Sequence, residues 1–148
     1  MSDQQIEQEI QAKGLTAPRV TPADIEAEIA SEHYFTAMQG ALRAYGLRYV
    51  APDGSVQTEL TLPERSARAL GLLTFCVLVL RNGFTVTGES ACASPENFDA
   101  ELGRKIARQN AVQKIWPLLG FRLRDELARP VLTEADAAAD LAGEARPT

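Results

Sequence analysis

The chain is poor in the side chains that carry most metal and nucleophilic chemistry. Among its 148 residues are one histidine, two cysteines and one tryptophan. A zinc site wants clustered His, Cys or carboxylate ligands, so neither a metal nor another cofactor is expected. Two cysteines cannot staple a fold of this size, which excludes a disulfide scaffold and fits a reducing compartment. No apolar run approaches the roughly 20 residues of a membrane helix. The longest candidate, around Leu72 to Leu80, is short and interrupted by Thr74. Neither common Gly-rich phosphate loop occurs. The polar, acidic start Met-Ser-Asp-Gln-Gln-Ile-Glu is unlike a signal peptide. Together these absences predict a cytoplasmic protein with no membrane partner.

What is present is ordinary globular material: 45% hydrophobic and 24% charged residues, enough for one domain with a real core. The net charge of −5 is unevenly spread. Residues 1–32 hold seven acids against Lys13 and Arg19, and residues 134–148 hold four acids against Arg146. The body between them carries an excess of three positive charges. So modest a charge does not support nucleic-acid binding, but it suits an anionic partner.

Local signals place the elements. Ser2 can cap a short helix over 3–13, with Ile6 and Ile10 on one face and Gly14 at its stop. Residues 15–20 read as a linker. Thr21-Pro22-Ala23-Asp24 is a strong helix start, predicting a helix to about Met38 with Ile25, Ile29 and His33 on one stripe. In residues 41–68, which read as an insertion, Asp53-Gly54 turns a small hairpin between Leu47–Val50 and Val56–Leu60. Two strand-like runs from Leu73 to Cys92 flank Asn82-Gly83. A two-residue turn there would set Val79 opposite Val86 and Phe75 opposite Ser90. That register makes a dry face of Phe75, Val77, Val79, Phe84 and Val86, and sends Cys76 and Cys92 to opposite faces. Ser94-Pro95 opens a main helix running to about Trp116. Its apolar arc holds Leu102, Gly103, Ile106, Ala107 and Ala111, and the three small residues invite close approach to a neighbour's backbone. Arg122 to Ala128 adds a helical turn or two. The Ala-rich acidic stretch from about 131 to 148 reads as a flexible tail.

The expected fold is therefore α+β: a long β-hairpin within a three- or four-stranded antiparallel sheet, packed by an N-terminal helix and the main helix. The domain proper spans 21–130, after a short helix and linker over 1–20.

Three groups of residues are candidates for binding. His33, Tyr34, Phe35 and Thr36 form an aromatic run; Tyr, Phe and His each present a π-face to a ligand ring. The ordinary reading is that they fill core. Asn110 and Lys114 project into the apolar arc of the main helix, where a buried amide or ammonium must find partners. Glu89 in the hairpin is the mirror case, and either a Glu89–Lys114 pair or a polar pocket holding an anion would satisfy both. Trp116 is core or a lid beside that pocket. Arg104, Lys105 and Arg108 form a basic ridge, either solvated or able to dock an acidic partner. No catalytic constellation emerges. Ser90 lies inside a strand, outside any G-x-S-x-G elbow, with His33 as its only base.

At the hairpin and main helix the sequence resembles a known family. The stretches are Leu73-Thr74-Phe75-Cys76-Val77-Leu78 and Asn82-Gly83-Phe84-Thr85-Val86-Thr87-Gly88-Glu89-Ser90-Ala91-Cys92. Asn97-Phe98-Asp99, Gly103, Ala107, Ala111, Lys114-Ile115-Trp116 and Gly120-Phe121 continue it, with Thr21-Pro22 through His33-Tyr34-Phe35-Thr36 upstream. They resemble a phage-encoded family labelled after gene product forty-nine of one coliphage and gene sixty-six of another. The resemblance implies a phage or prophage origin and assigns no catalytic residue. The expectation is a non-enzymatic accessory protein that binds a small anionic or nucleotide-like ligand or a host factor, in a counter-defence role. The alternative is an interaction module that inhibits a host protein through the basic ridge. The dry face predicts a homo-oligomer.

Overall fold

The computed structural model describes residues 1–147. The elements run α1 (Asp3–Ala12), α2 (Pro22–Glu28), β1 (Ile29–Thr36), α3 (Ala37–Tyr45), β2 (Leu47–Val50), β3 (Val56–Glu59), α4 (Glu64–Gly71), β4 (Leu73–Leu80), β5 (Thr85–Ala91), α5 (Ala100–Gln113), α6 (Ile115–Ala128) and α7 (Glu134–Ala142). An antiparallel sheet of order β1-β4-β5 carries the fold, and β2–β3 form a separate two-stranded hairpin. The protein is α+β, as the sequence predicts.

The central hairpin turns at the Asn-Gly corner, but with one residue more in the loop. Leu80 N–H donates to Phe84 O (2.8 Å) and Gly83 N–H to Leu80 O (2.9 Å). Only Gly83 has positive φ, at +86°; Asn82 does not. This is a three-residue loop, a type I turn followed by a left-handed glycine. Asn82 Oδ1 accepts from Phe84 N–H at 3.0 Å. The pairing shifts by one residue, so that Val79 faces Thr85, Leu78 faces Val86 and Phe75 faces Glu89. A one-residue slip exchanges the faces. The expected dry face is therefore corrected: Val86 joins Leu78 and Cys76 on the helix-packed side, while Phe75, Val77 and Val79 line the other. The cysteines are kept apart by distance rather than by face. Cys92 N–H bonds Leu72 O, four residues or about 13 Å along β4 from Cys76, and both thiols are free.

The predicted helix over 22–38 breaks into three elements. Thr21 caps α2 in a reciprocal capping box with Asp24, but the helix stops at Glu28. Residues 29–36 become β1, paired antiparallel with β4. The apolar β4 needs neighbours on both sides, since a lone hairpin is marginal in water. That tertiary demand overrides a weak local helical preference. Thr36 then caps α3, reciprocated by Gln39. His33 to Thr36 accordingly sit on a strand, not on a helical stripe.

The main helix also begins later than expected. Pro95–Asn97 make a single 3-10 turn, and Asp99 caps α5 by accepting from Leu102 N–H at 2.9 Å. Lys114 joins α5 to α6, where Pro117 falls in the first turn and costs no intrahelical bond. The close approach predicted from Gly103, Ala107 and Ala111 is present. Ala107 and Ala111 are fully buried, and a Cβ built on Gly88 would lie 2.1 Å from Ala107 O and 2.3 Å from Ala111 N. The helix backbone thus rests on strand backbone at Gly88. Leu102 and Ile106, expected in the buried arc, instead remain 54% and 40% exposed along the outer edge of β5. Ile25, Leu78, Leu80, Val112, Ile115 and Leu119 complete the core, each worth about 1.5–3 kcal/mol when fully buried.

Two further elements lie outside this core. The β2–β3 hairpin pairs Leu47–Val50 with Val56–Glu59, as its Asp53-Gly54 turn predicts. The stretch expected to fray after 131 contains α7, capped reciprocally by Thr133 and Asp136 and ended by Gly143 at φ +72°. Alanine-rich sequence with acids in the first turn favours that helix locally. Among the described residues no helix is long and apolar enough to cross a membrane.

Candidate functional site

Strand alternation decides what the aromatic run can do. Tyr34 and Thr36 lie opposite Cys76 and Thr74 and face α5, whereas His33 and Phe35 lie opposite Val77 and Phe75 on the other side. The Phe35 ring packs on Phe75 with centroids 5.6 Å apart. His33 Nε2 meets Ser31 Oγ at 3.0 Å. The four residues therefore do not form one stacking cluster. Ser90 points to the helix side of β5, opposite Thr74, with β4 between it and His33, so these two are not brought together.

A cleft does form where β1 ends, α3 begins and α5 begins. Its volume is about 290 Å³, and Tyr34, Thr36, Gln39, Phe98 and Arg104 are among its walls, with Phe35 bordering it. Each wall follows from local rules. Thr36 and Gln39 are held by their capping box, Phe98 by the turn before Asp99, and Arg104 by its place one turn into α5.

The basic ridge separates into three environments. Lys105 pairs with Glu101 at 3.2 Å on an exposed helix face. Arg108 grips Glu26 with both terminal nitrogens (3.1 and 2.8 Å) and Glu32 with Nε (2.9 Å). Arg104 has no ion-pair partner among the described residues and edges the aromatic cleft. Burial by itself would raise the Glu32 carboxyl. The hydrogen bonds from Arg108 and from Tyr34 Oη (3.0 Å) outweigh it and hold Glu32 below its ordinary value. Burial, then the Glu32 contact, pushes the Tyr34 phenol well above its usual range, so Tyr34 stays a neutral donor.

The expected inward pocket of Glu89, Asn110 and Lys114 does not form. All three are exposed. With the register shifted, Gly88 rather than Glu89 lies under the helix, and the Glu89 carboxylate meets Thr87 Oγ1 at 3.3 Å on the far face. Asn110 lies toward the outer edge of β5, where its Nδ2 donates to Glu89 O at 2.8 Å. It caps a carbonyl of an edge strand, a usual guard against stray pairing. Lys114 is the exposed joint between α5 and α6, with no Glu89 partner. Trp116 packs against the core, half-buried, and donates Nε1–H to Asp3 Oδ2 at 3.2 Å.

Sequence reasoning missed Gln39 and Phe98 as cleft walls, and Glu26 and Glu32 as the partners of Arg108. Gln39 was legible as the third residue after a capping threonine; the carboxylates were not, because 76 to 82 residues separate them from Arg108. A second, larger cleft of about 370 Å³ holds Arg19, Arg81 and Arg122. Its guanidiniums are engaged: Arg122 by Glu28 (3.0 and 2.8 Å), Arg19 by Glu7 (2.7 Å) and Arg81 by Ala27 O. Among the described residues no cluster of three His, Cys, Asp or Glu side chains could hold a metal ion.

No curated protein and no solved structure matches the chain. A family model does match, over residues 20–127, the segment that contains the whole sheet, α5 and the aromatic cleft. The chain belongs to the Phage protein (N4 Gp49/phage Sf6 gene 66) family.

Proposed function

We propose that this phage-family protein is a non-enzymatic binder of a small anionic, ring-bearing ligand of nucleotide-like chemistry, held in the cleft between β1, α3 and α5. The observation that carries the reading is Arg104. It is the one member of the basic ridge without a carboxylate partner among the described residues, and it edges a cleft walled by Tyr34 and Phe98. A guanidinium offers a planar fork to phosphate or carboxylate, and the aromatic walls offer stacking to a ring. Sequestering such a ligand in the cytoplasm of an infected bacterium would blunt a host signal, the counter-defence role a small accessory protein can fill.

Calorimetry of the full chain against a panel of nucleotides tests this. The expected result is saturable heat with at least one member, with the affinity weakened tenfold or more by Arg104→Ala, since a charge-assisted hydrogen bond contributes about 1.5–3 kcal/mol. Absence of heat across the panel defeats the small-ligand reading. The other reading, docking of an acidic host protein, needs the ridge as a whole. Reversing Lys105, which lies off the cleft, then weakens binding as much as reversing Arg104.

A further inference from the structure

Helix α1 sits on the domain without becoming part of it. It buries no residue fully, and Ile6 remains 42% exposed. A cavity of about 230 Å³ persists beneath it, walled by Ile6 and Ile10 from α1 and by Val20, Pro22, Gln113 and Trp116 from the domain. Polar contacts hold its start: Asp3 Oδ2 accepts from Gln113 Nε2 (3.1 Å) and Trp116 Nε1 (3.2 Å). Glu7 pairs with Arg19 at the next turn. The domain-side walls all belong to the segment matched by the family, residues 20–127, and α1 lies outside it. Between them, residues 15–20 have no helix or strand.

The groove is thus a receptor on the family domain, and α1 is a tethered helix only partly seated in it. We propose that this groove is a helix-docking site, which α1 fills in cis and which α1 of a second copy fills in trans. Seating in cis defines the chemistry an occupant must show: a carboxylate in the first turn for Trp116 Nε1, then isoleucines three and seven residues later. A second copy meets those demands by identity, and residues 15–20, without helix or strand, are the span that would connect an exchanged α1 to its own domain. The site is independent of the aromatic cleft at the far end of α5, so failure of the ligand reading leaves it standing.

Trp116 is the chain's single tryptophan, so its emission reports the groove. In the full chain carrying Asp3→Ala, Ile6→Glu and Ile10→Glu, the emission moves to longer wavelength as Trp116 meets water. A synthetic peptide of residues 1–14 then reverses the shift saturably, and the same peptide with Asp3 and both isoleucines replaced does not. Circular dichroism shows that the variant keeps its sheet. If it does not, Asp3→Asn alone is used, with binding of a dye-labelled peptide as readout. Labelled wild-type peptide also binds the wild-type chain, more weakly because the tethered α1 competes. An unchanged emission in the triple variant overturns the proposal. So does a peptide that fails to bind, or one that binds equally well with its Asp and Ile positions replaced.

Discussion

Gly88→Ala tests the fold's closest contact. The added methyl would lie 2.1 Å from Ala107 O, 2.3 Å from Ala111 N and 2.9 Å from Ala111 Cα. All three are backbone atoms, so no side-chain rotamer relieves the clash. Helix α5 must lift by about 1 Å or more to restore ordinary contact. Lifting opens the seam in which Cys76, Leu78, Ala107 and Ala111 are now fully or almost fully buried. Overpacking of a dense core costs typically 1–3 kcal/mol, and this site belongs at the upper end because backbone meets backbone. Gly88 does not have positive φ, so the effect is purely steric. Urea unfolding followed by circular dichroism measures it, as a lower midpoint at unchanged slope. Gly120→Ala is the control. It sits inside α6 with nothing within 4 Å of the added carbon, and alanine there stabilises by about 0.5–1 kcal/mol. Were Gly88→Ala to cost under about 0.5 kcal/mol, the same size as a surface change, the helix would not rest on β5 as described.

Acid exposes the Glu28–Arg122 pair. The hydrogen bond from Arg122, the largest influence, holds the Glu28 carboxyl below its ordinary value despite burial. A depressed folded value means its stabilisation is complete above the unfolded pKa of about 4.3 and is lost as pH falls through the folded one. Thermal melts of wild type and Glu28→Gln should therefore converge as pH drops below about 4, and parallel curves down to low pH would refute the pairing. The two thiols should differ in reactivity. Cys76 is fully buried and burial raises its pKa, whereas Cys92 is only half-buried, near Ser94 O. Mass spectrometry after brief alkylation should find label on Cys92 first and on Cys76 only on unfolding; equal rates would contradict the packing of β4 under α5.

Local chemistry was readable at some helix starts and turns but not at all of them: Ser94, read as the cap of the main helix, makes no capping bond, and Asp99 caps α5 instead. Ser2, Thr21, Asp53-Gly54 and the small-residue stripe of α5 all act as their local patterns require. The Asn-Gly corner was legible as a turn but ambiguous in length, because two- and three-residue loops both accept that pair. One residue of loop then decided which side chains of β5 meet the helix, and with them the places of Glu89 and Asn110. For residues 29–36 the local pattern supported a helix, and only the unpaired edge of β4 made them a strand. The cleft was half legible: Tyr34, Thr36 and Arg104 stood out by type, but nothing in the order of residues showed that β1 and the start of α5 would meet.

Sequence by itself determined the class of fold, the starts of α1 and α2, the two hairpins, the family and the small residues that let a helix lie on a strand. These rest on interactions within a few residues, where spacing fixes geometry. Tertiary structure alone decided the register of β4 on β5, the conversion of 29–36 into an edge strand and the freedom of Arg104 while Arg108 is held by Glu26 and Glu32. Each of those is a choice among locally similar states, settled by burial and charge pairing between segments far apart in the chain.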